Sequence, residues 1–223
     1  MALVVALASM SACSKDRAPA EGATTIRSGG VDVAAIERGP SAAKARLTVL
    51  FLHGASYNSR IWDDRGILDA VAAKGYRAVA IDLPGSGGTK GLPDDADTGD
   101  WLRGLIDDLG GPEQVVLVSP SRSGEYSLIY LATHPDDPLA GFVAVAPVGI
   151  GGFGRPKSAA DVPAVMVWGE DDNVIPRGQA HDLAEEFPGS TVEVIPDGSH
   201  APYDDQPKAF TAVLLQFLDG LQG

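Results

Sequence analysis

Short apolar runs alternate with stretches of helical spacing along most of the chain. Residues 46–52, 76–83, 115–118, 141–146, 164–168 and 191–195 are rich in Val, Ile, Leu and Ala with little polar interruption. Runs of this length and continuity predict strands covered on both faces rather than strands with one wet side. Residues 31–37 predict a further strand at the start. In residues 60–74 the apolar positions Ile61, Trp62, Ile67, Leu68 and Val71 recur at helical spacing and Gly75 closes the segment; residues 97–109, 124–133, 179–187 and 207–221 read the same way. Alternation of strand and helix predicts an α/β fold, a mostly parallel sheet with helices on both faces, whose sites gather beyond the carboxyl ends of the strands. His53, Ser121, Asp172 and His200 each follow a predicted strand, so such a sheet collects them along one edge.

The first thirty residues do not fit this alternation. Residues 2–10 are uncharged and mostly apolar and end in Met10-Ser11-Ala12-Cys13, with charge beginning at Lys15. This resembles a bacterial lipoprotein signal, in which small residues precede a cysteine that carries lipid, and Cys13 is the only cysteine. The expected organisation is therefore 1–13 signal and lipidation site, 14–30 flexible tether rich in Ala, Ser, Gly and charge, and 31–223 folded domain. It implies a membrane contact through an N-terminal lipid anchor at the bacterial cell envelope. The alternatives are a secreted or periplasmic protein, or a cytoplasmic one if this stretch is no signal. The apolar run is shorter than a membrane span requires.

Composition narrows the partners. A formal net charge of −13 and a pI near 4.5 exclude a nucleic-acid-binding surface, which needs clustered Lys and Arg. No metal or organic cofactor is implied, and nothing in the chain sets its oligomeric state.

The chemistry concentrates where the run 115–118 stops at Ser119-Pro120-Ser121-Arg122-Ser123-Gly124 and a helical segment follows. A turn from strand to helix this abrupt needs small residues two before and two after its apex, and Ser119 and Ser123 supply them in place of glycine. Ser119 ends the strand and Ser123 enters the helix, which leaves Ser121 at the apex as the nucleophile. The plainer reading is a loop with helix-capping serines. A serine hydroxyl needs an imidazole to take its proton and a carboxylate to orient that imidazole. Of the four histidines, His200 follows the last strand, in the small-residue loop Pro196-Asp197-Gly198-Ser199-His200. An acid is expected after the preceding strand, within Glu170-Asp171-Asp172.

With His53-Gly54, Asp82-Leu83-Pro84-Gly85-Ser86-Gly87, the serine turn, the acid loop and Gly198-Ser199-His200 all in order, the chain from about residue 31 to 221 resembles an α/β-hydrolase. The acid loop of that family often reads Gly-x-x-Asp-x-x-x-Pro, and Gly169 to Pro176 matches it with Asp172 in the acid position. The turn Ser119-x-Ser121-x-Ser123 and residues 76–85 further resemble the α/β-hydrolase-domain-containing protein 14 branch, which is linked to hydrolysis of short acyl esters and to acyl transfer from amines. The resemblance implies a small-molecule acyl substrate, a Ser121-His200-Asp172 triad, and an oxyanion hole made by the backbone N–H groups of Ala55 and Arg122. His53 in this motif is expected to be a structural hydrogen-bonder.

Only residues 148–163 separate two predicted strands where relatives insert a helical cap, so no large cap domain is expected. The pocket is expected to be shallow, shaped by Tyr57, Trp62, Tyr126, Ile150 and Phe153, each of which has a core packing role as its alternative. The function expected is a serine hydrolase that cleaves small acyl esters through an acyl-enzyme. The alternatives are an acyltransferase or deacylase that hands the acyl group to a thiol or amine, and a non-catalytic binding module on the same fold. Serine at the apex excludes haloalkane dehalogenase and epoxide hydrolase chemistry, which require aspartate there.

Overall fold

A computed structural model describes residues 20–153 and 162–221. Cys13 and the signal-like segment lie outside the described residues. Among those described, no helix is long and apolar enough to cross a membrane.

The chain opens with a hairpin, β1 (Ala23–Ser28) and β2 (Val31–Arg38), and continues into β3 (Thr48–Phe51). Two short helices, α1 (Arg60–Asp64) and α2 (Ile67–Ala72), lead to β4 (Arg77–Ile81) and α3 (Thr98–Asp108). Next come β5 (Val115–Pro120), α4 (Gly124–Thr133), β6 (Gly141–Val145), β7 (Ala164–Gly169) and α5 (Gly178–Ala184). The chain closes with β8 (Thr191–Ile195), α6 (Pro202–Asp205) and α7 (Pro207–Gly220). The strands form one sheet in the order β1-β2-β4-β3-β5-β6-β7-β8, antiparallel at β1-β2-β4 and parallel from β4 to β8.

Continuous apolar runs form the central strands because both faces are covered. Leu50, Leu52, Val115 and Leu117 pack with Trp101, Leu105, Tyr130 and Leu183 on one side; Val49, Phe51, Val116 and Val118 pack with Trp62, Leu68, Tyr203 and Phe210 on the other. From β3 the chain winds outward to β4, then crosses back to place β5 on the opposite flank of β3. The crevice beyond the carboxyl ends of β3 and β5 is therefore the switch point at which open α/β sheets bind ligands. Ala55 follows one of these strands and Ser121 the other.

Three local expectations change. The stretch read as a tether contains a strand: Thr24, Thr25 and Ile26 pair with β2 across the Gly29-Gly30 turn. Both glycines have positive φ, +54° and +78°, the backbone that a tight two-residue hairpin turn demands. The composition of 14–30 hid this because β1 is largely exposed and buries little apolar surface. The helix expected over 60–74 is broken at Gly66, whose φ of +69° cannot continue a right-handed helix. The short helix α6 had no periodic signal, and it proves central to the site. Between β6 and β7 the described residues carry only a 3₁₀ turn, Ile150–Gly152, and no cap.

Candidate active site

Ser121 sits at the end of β5 with φ of 50°, a left-handed backbone that a non-glycine residue adopts at a cost of order 1–3 kcal/mol. Several bonds hold it there. The Val148 N–H donates to the Ser121 carbonyl at 2.9 Å. Beneath the apex, the buried Ser119 hydroxyl pairs with the Ser123 hydroxyl at 2.9 Å and the Ser127 hydroxyl at 2.7 Å, while Ser123 Oγ donates to the Pro120 carbonyl at 2.7 Å. Serine thus replaces glycine at the small positions because each hydroxyl has a partner inside the turn, and neither Ser119 nor Ser123 faces solvent. Glycine is needed one residue later: a Cβ on Gly124 would lie 2.2 Å from the Val148 carbonyl oxygen. Sequence reading passed over that requirement.

His200 Nε2 lies 2.8 Å from Ser121 Oγ, and its Nδ1 lies 2.9 Å from Asp172 Oδ2. The other Asp172 oxygen accepts the N–H groups of Val174 at 2.8 Å and Ile175 at 3.0 Å, so the carboxylate is aimed by its own loop. The Asp172 side chain is wholly shut from solvent and that of His200 is 21% exposed. Asp171 points outward, exposed, while its N–H is bound to the Gly198 carbonyl at 2.8 Å. The acid loop and histidine loop are joined again by Glu170 N–H to Ile195 O at 2.9 Å. They approach so closely over Gly169 that a Cβ there would fall 2.0 Å from the Ser199 carbonyl oxygen.

The loop after β3 completes the site. Buried His53 has its Nδ1 2.8 Å from the Gly54 carbonyl oxygen and accepts the Leu83 N–H at Nε2, 3.0 Å away. Its Nδ1–H is thereby the donor to Gly54. Burial holds its pKa below the ordinary value of 6.5, against the raising effects of the Gly54 bond and Asp82. His53 is thus a neutral backbone brace with both nitrogens occupied. The Gly54 carbonyl also accepts the Tyr57 N–H at 3.1 Å. Because the Gly54–Ala55 peptide is trans, fixing its carbonyl sets the Ala55 N–H on the opposite edge. Arg122 is the second residue of the 3₁₀ turn Ser121–Ser123, where first-turn N–H groups lack intrahelical partners. Its guanidinium pairs loosely with Glu125 at 3.5 Å.

The expected pocket aromatics divide. Tyr57 stands at the site, half-buried, its hydroxyl donating to Asp204 Oδ2 at 2.9 Å; burial and that bond push its pKa up to about 12. Trp62 belongs to the core instead: it is fully buried, donates to the Leu52 carbonyl at 2.8 Å and packs against Phe51, Tyr203 and Phe210. An indole with no exposed surface cannot line a pocket. Tyr126 is likewise buried, edge-on against Trp101 between α3 and α4, and Phe153 stacks on Phe187. Ile150 is partly buried beside them. A groove of about 980 Å³ begins at Ala55 and Tyr57 and runs past Asn58 and Ser86 over Ala34 and Ala35. A cavity of about 480 Å³ between β7, β8 and α7 has none of Ser121, His200 and Asp172 in its wall. Among the described residues no cluster of three or more His, Cys, Asp or Glu is arranged to hold a metal.

A strand-to-helix serine turn, a histidine after the last strand and an acid after the strand before it, all at one sheet edge, define a class that comparison with known proteins identifies. Residues 48–161 match the family model of the alpha/beta hydrolase fold. Human ABHD14B, named as a protein-lysine deacylase, is 38% identical over 82% of this chain and 88% of its own. ABHD14A of Rattus norvegicus is 36% identical over 79% of this chain and 73% of its own. Among solved structures, a predicted CIB-like hydrolase from Thermoplasma acidophilum shares the fold with a TM-score of 0.78 at 23% identity, covering 89% of this chain and 98% of that one. The chain belongs to the α/β-hydrolases, as a hydrolase enzyme of their ABHD14 branch.

Proposed function

We propose that the protein is a serine hydrolase that removes small acyl groups, working through Ser121, His200 and Asp172. The observation that carries this reading is the unbroken chain from Ser121 Oγ through His200 to Asp172, with links of 2.8 and 2.9 Å. In this mechanism His200 Nε2 takes the Ser121 proton as Oγ attacks the acyl carbonyl. Asp172 holds the Nδ1–H and so keeps Nε2 free to act as base. The Ala55 and Arg122 N–H groups receive the oxyanion. His200 then gives its proton to the leaving group, and water, activated by the same imidazole, releases the acyl group from Ser121. The branch relative's name extends the substrate class from small esters to acylated lysine, and the groove beside Ala55 gives a bulky leaving group room. The partial exposure of His200 fits an acceptor that arrives from solvent, water first and an amine or thiol as the alternative.

The test is turnover of a short-chain nitrophenyl ester and of an acetyl-lysine peptide, wild type against Ser121→Ala. A burst of nitrophenol matching the enzyme concentration, lost in the variant, is expected. Undiminished turnover by Ser121→Ala would refute the reading.

A further inference from the structure

Two neighbouring acids on α6 hold opposite walls of the site. Asp205 Oδ2 accepts the N–H of Ser199, the residue before His200, at 2.8 Å. Just beyond the helix, Gln206 Nε2 donates to the Asp197 carbonyl at 3.2 Å, so the histidine loop is tied at two points. Asp204 reaches the other wall. Its Oδ2 accepts the Tyr57 hydroxyl at 2.9 Å and its Oδ1 accepts Arg65 Nε at 2.7 Å, which engages both carboxylate oxygens. Arg65 is 42% exposed, too open for its ion pair to add much stability, but the pair aims the carboxylate.

Tyr57 is the last residue of the turn that carries the Ala55 N–H, and its own N–H closes that turn on the Gly54 carbonyl at 3.1 Å. Its ring packs against the same turn: a Cβ on Gly54 would fall 3.7 Å from Tyr57 Cδ2 and 3.6 Å from Ser121 Cβ. On its other side the ring meets Tyr203 edge-on at 5.6 Å. Phenylalanine would make those ring contacts equally well. The hydroxyl does something else, because it anchors the turn to a carboxylate 147 positions away in the chain. A hydrogen bond to a carboxylate is about twice as strong as one between neutral groups. Burial and that bond keep the phenol protonated, and so a donor, at neutral pH.

We infer that Asp204 is a positioning residue for the oxyanion hole: by holding the Tyr57 hydroxyl it fixes the turn that carries the Ala55 N–H relative to His200, whose loop Asp205 holds from the next position in α6. This rests on the serine-hydrolase reading above. The Tyr57 ring packs, and its oxygen does the anchoring. Removing either end of the bond frees the turn while leaving Ser121, His200 and Asp172 in place, and the loss is felt where charge develops on the carbonyl oxygen.

Tyr57→Phe and Asp204→Ala test this singly and together, with Tyr76→Phe as the control, because the Tyr76 hydroxyl is buried and bonded to the Leu218 carbonyl at 2.9 Å, away from the site. In each single variant kcat on the nitrophenyl ester is expected to fall about tenfold with KM within about twofold, less than the loss of a direct oxyanion donor. Asp204 acts through the Tyr57 hydroxyl, so the double variant should stay within about twofold of either single one, where independent effects would multiply to about a hundredfold. Affinity for a trifluoromethyl ketone, whose adduct places an oxyanion in the hole, should fall in parallel with kcat/KM. Tyr76→Phe should lower the unfolding temperature and leave kcat and ketone affinity unchanged. Wild-type kcat and ketone affinity in Tyr57→Phe, multiplying losses in the double variant, or an equal kcat loss in Tyr76→Phe would overturn the inference, while an inactive Ser121→Ala left the reading beneath it standing. Activity surviving in Ser121→Ala would overturn both.

Discussion

The two walls of the site are built by different means. The wall of His200 and Asp172 is stitched by backbone bonds between neighbouring loops, Glu170 to Ile195 and Asp171 to Gly198, over a glycine that leaves room for nothing larger. The wall that carries Ala55 is held by side chains from distant parts of the sequence: His53 to Leu83, Asp82 to Ser59 at 2.8 Å and Tyr57 to Asp204. The first wall needs small residues and one acid at fixed spacing. The second needs only that a polar atom arrive in the right place, and many residue patterns deliver that. The difference separates what a loop can encode by itself from what only the assembled fold supplies.

Breaking the first wall has the larger expected effect. Asp172→Asn keeps the shape of the side chain but removes the charge that orients His200, and a loss of order 10⁴ in kcat is expected, the size seen for this change in a serine protease. Asp171→Asn, exposed and turned away, should cost less than about threefold. The pair is compared on a nitrophenyl ester, with thermal unfolding followed in parallel to separate loss of chemistry from loss of fold. A larger loss in Asp171→Asn would mean that the backbone stitching, rather than the carboxylate, governs this wall.

The second wall is sharpened by pH. His53 has its pKa lowered by burial, below the 6.5 it has when the chain is unfolded. Above that value neither state binds the proton and His53 contributes no pH dependence. As pH falls through about 6.5 the unfolded state binds the proton first, so stability is lost on acidification. A protonated ring also has no acceptor left for the Leu83 N–H. Urea unfolding at about pH 7.5 and about pH 5.5 should show wild type losing stability over this interval more than His53→Asn does. Equal losses would remove His53 as the source, and the effect is the smallest of those expected here because one group carries it.

The same division governs how far the sequence could be read. Strand and helix alternation was legible because both faces of the sheet are buried and the runs are continuous. The gathering of Ser121, Asp172 and His200 at one sheet edge was legible because each ends or follows such a run with small residues around it. β1 was not, since an exposed hairpin strand buries too little to leave a pattern, although Thr24, Thr25, Ile26 and the Gly29-Gly30 turn carried the signal. Trp62 and Tyr126 could be read for pocket or core because an aromatic at helical spacing looks the same whether its face meets a core or a cleft, and their burial places them in the core. The need for glycine at Gly124 left no signal at all: the closeness of Val148 to the helix start exists only once residues far apart in the chain are packed together.

The central claim is that Ser121, and not its hydroxyl neighbours, is the activated nucleophile. It is tested most directly by incubating the protein with a fluorophosphonate and locating the adduct by mass spectrometry of its peptides. Ser119 and Ser123 are buried and bonded inside the turn, whereas Ser121 alone faces His200. The account predicts one adduct, on Ser121, lost in Ser121→Ala and His200→Ala. An adduct on Ser119 or Ser123, or labelling that survives Ser121→Ala, would contradict it.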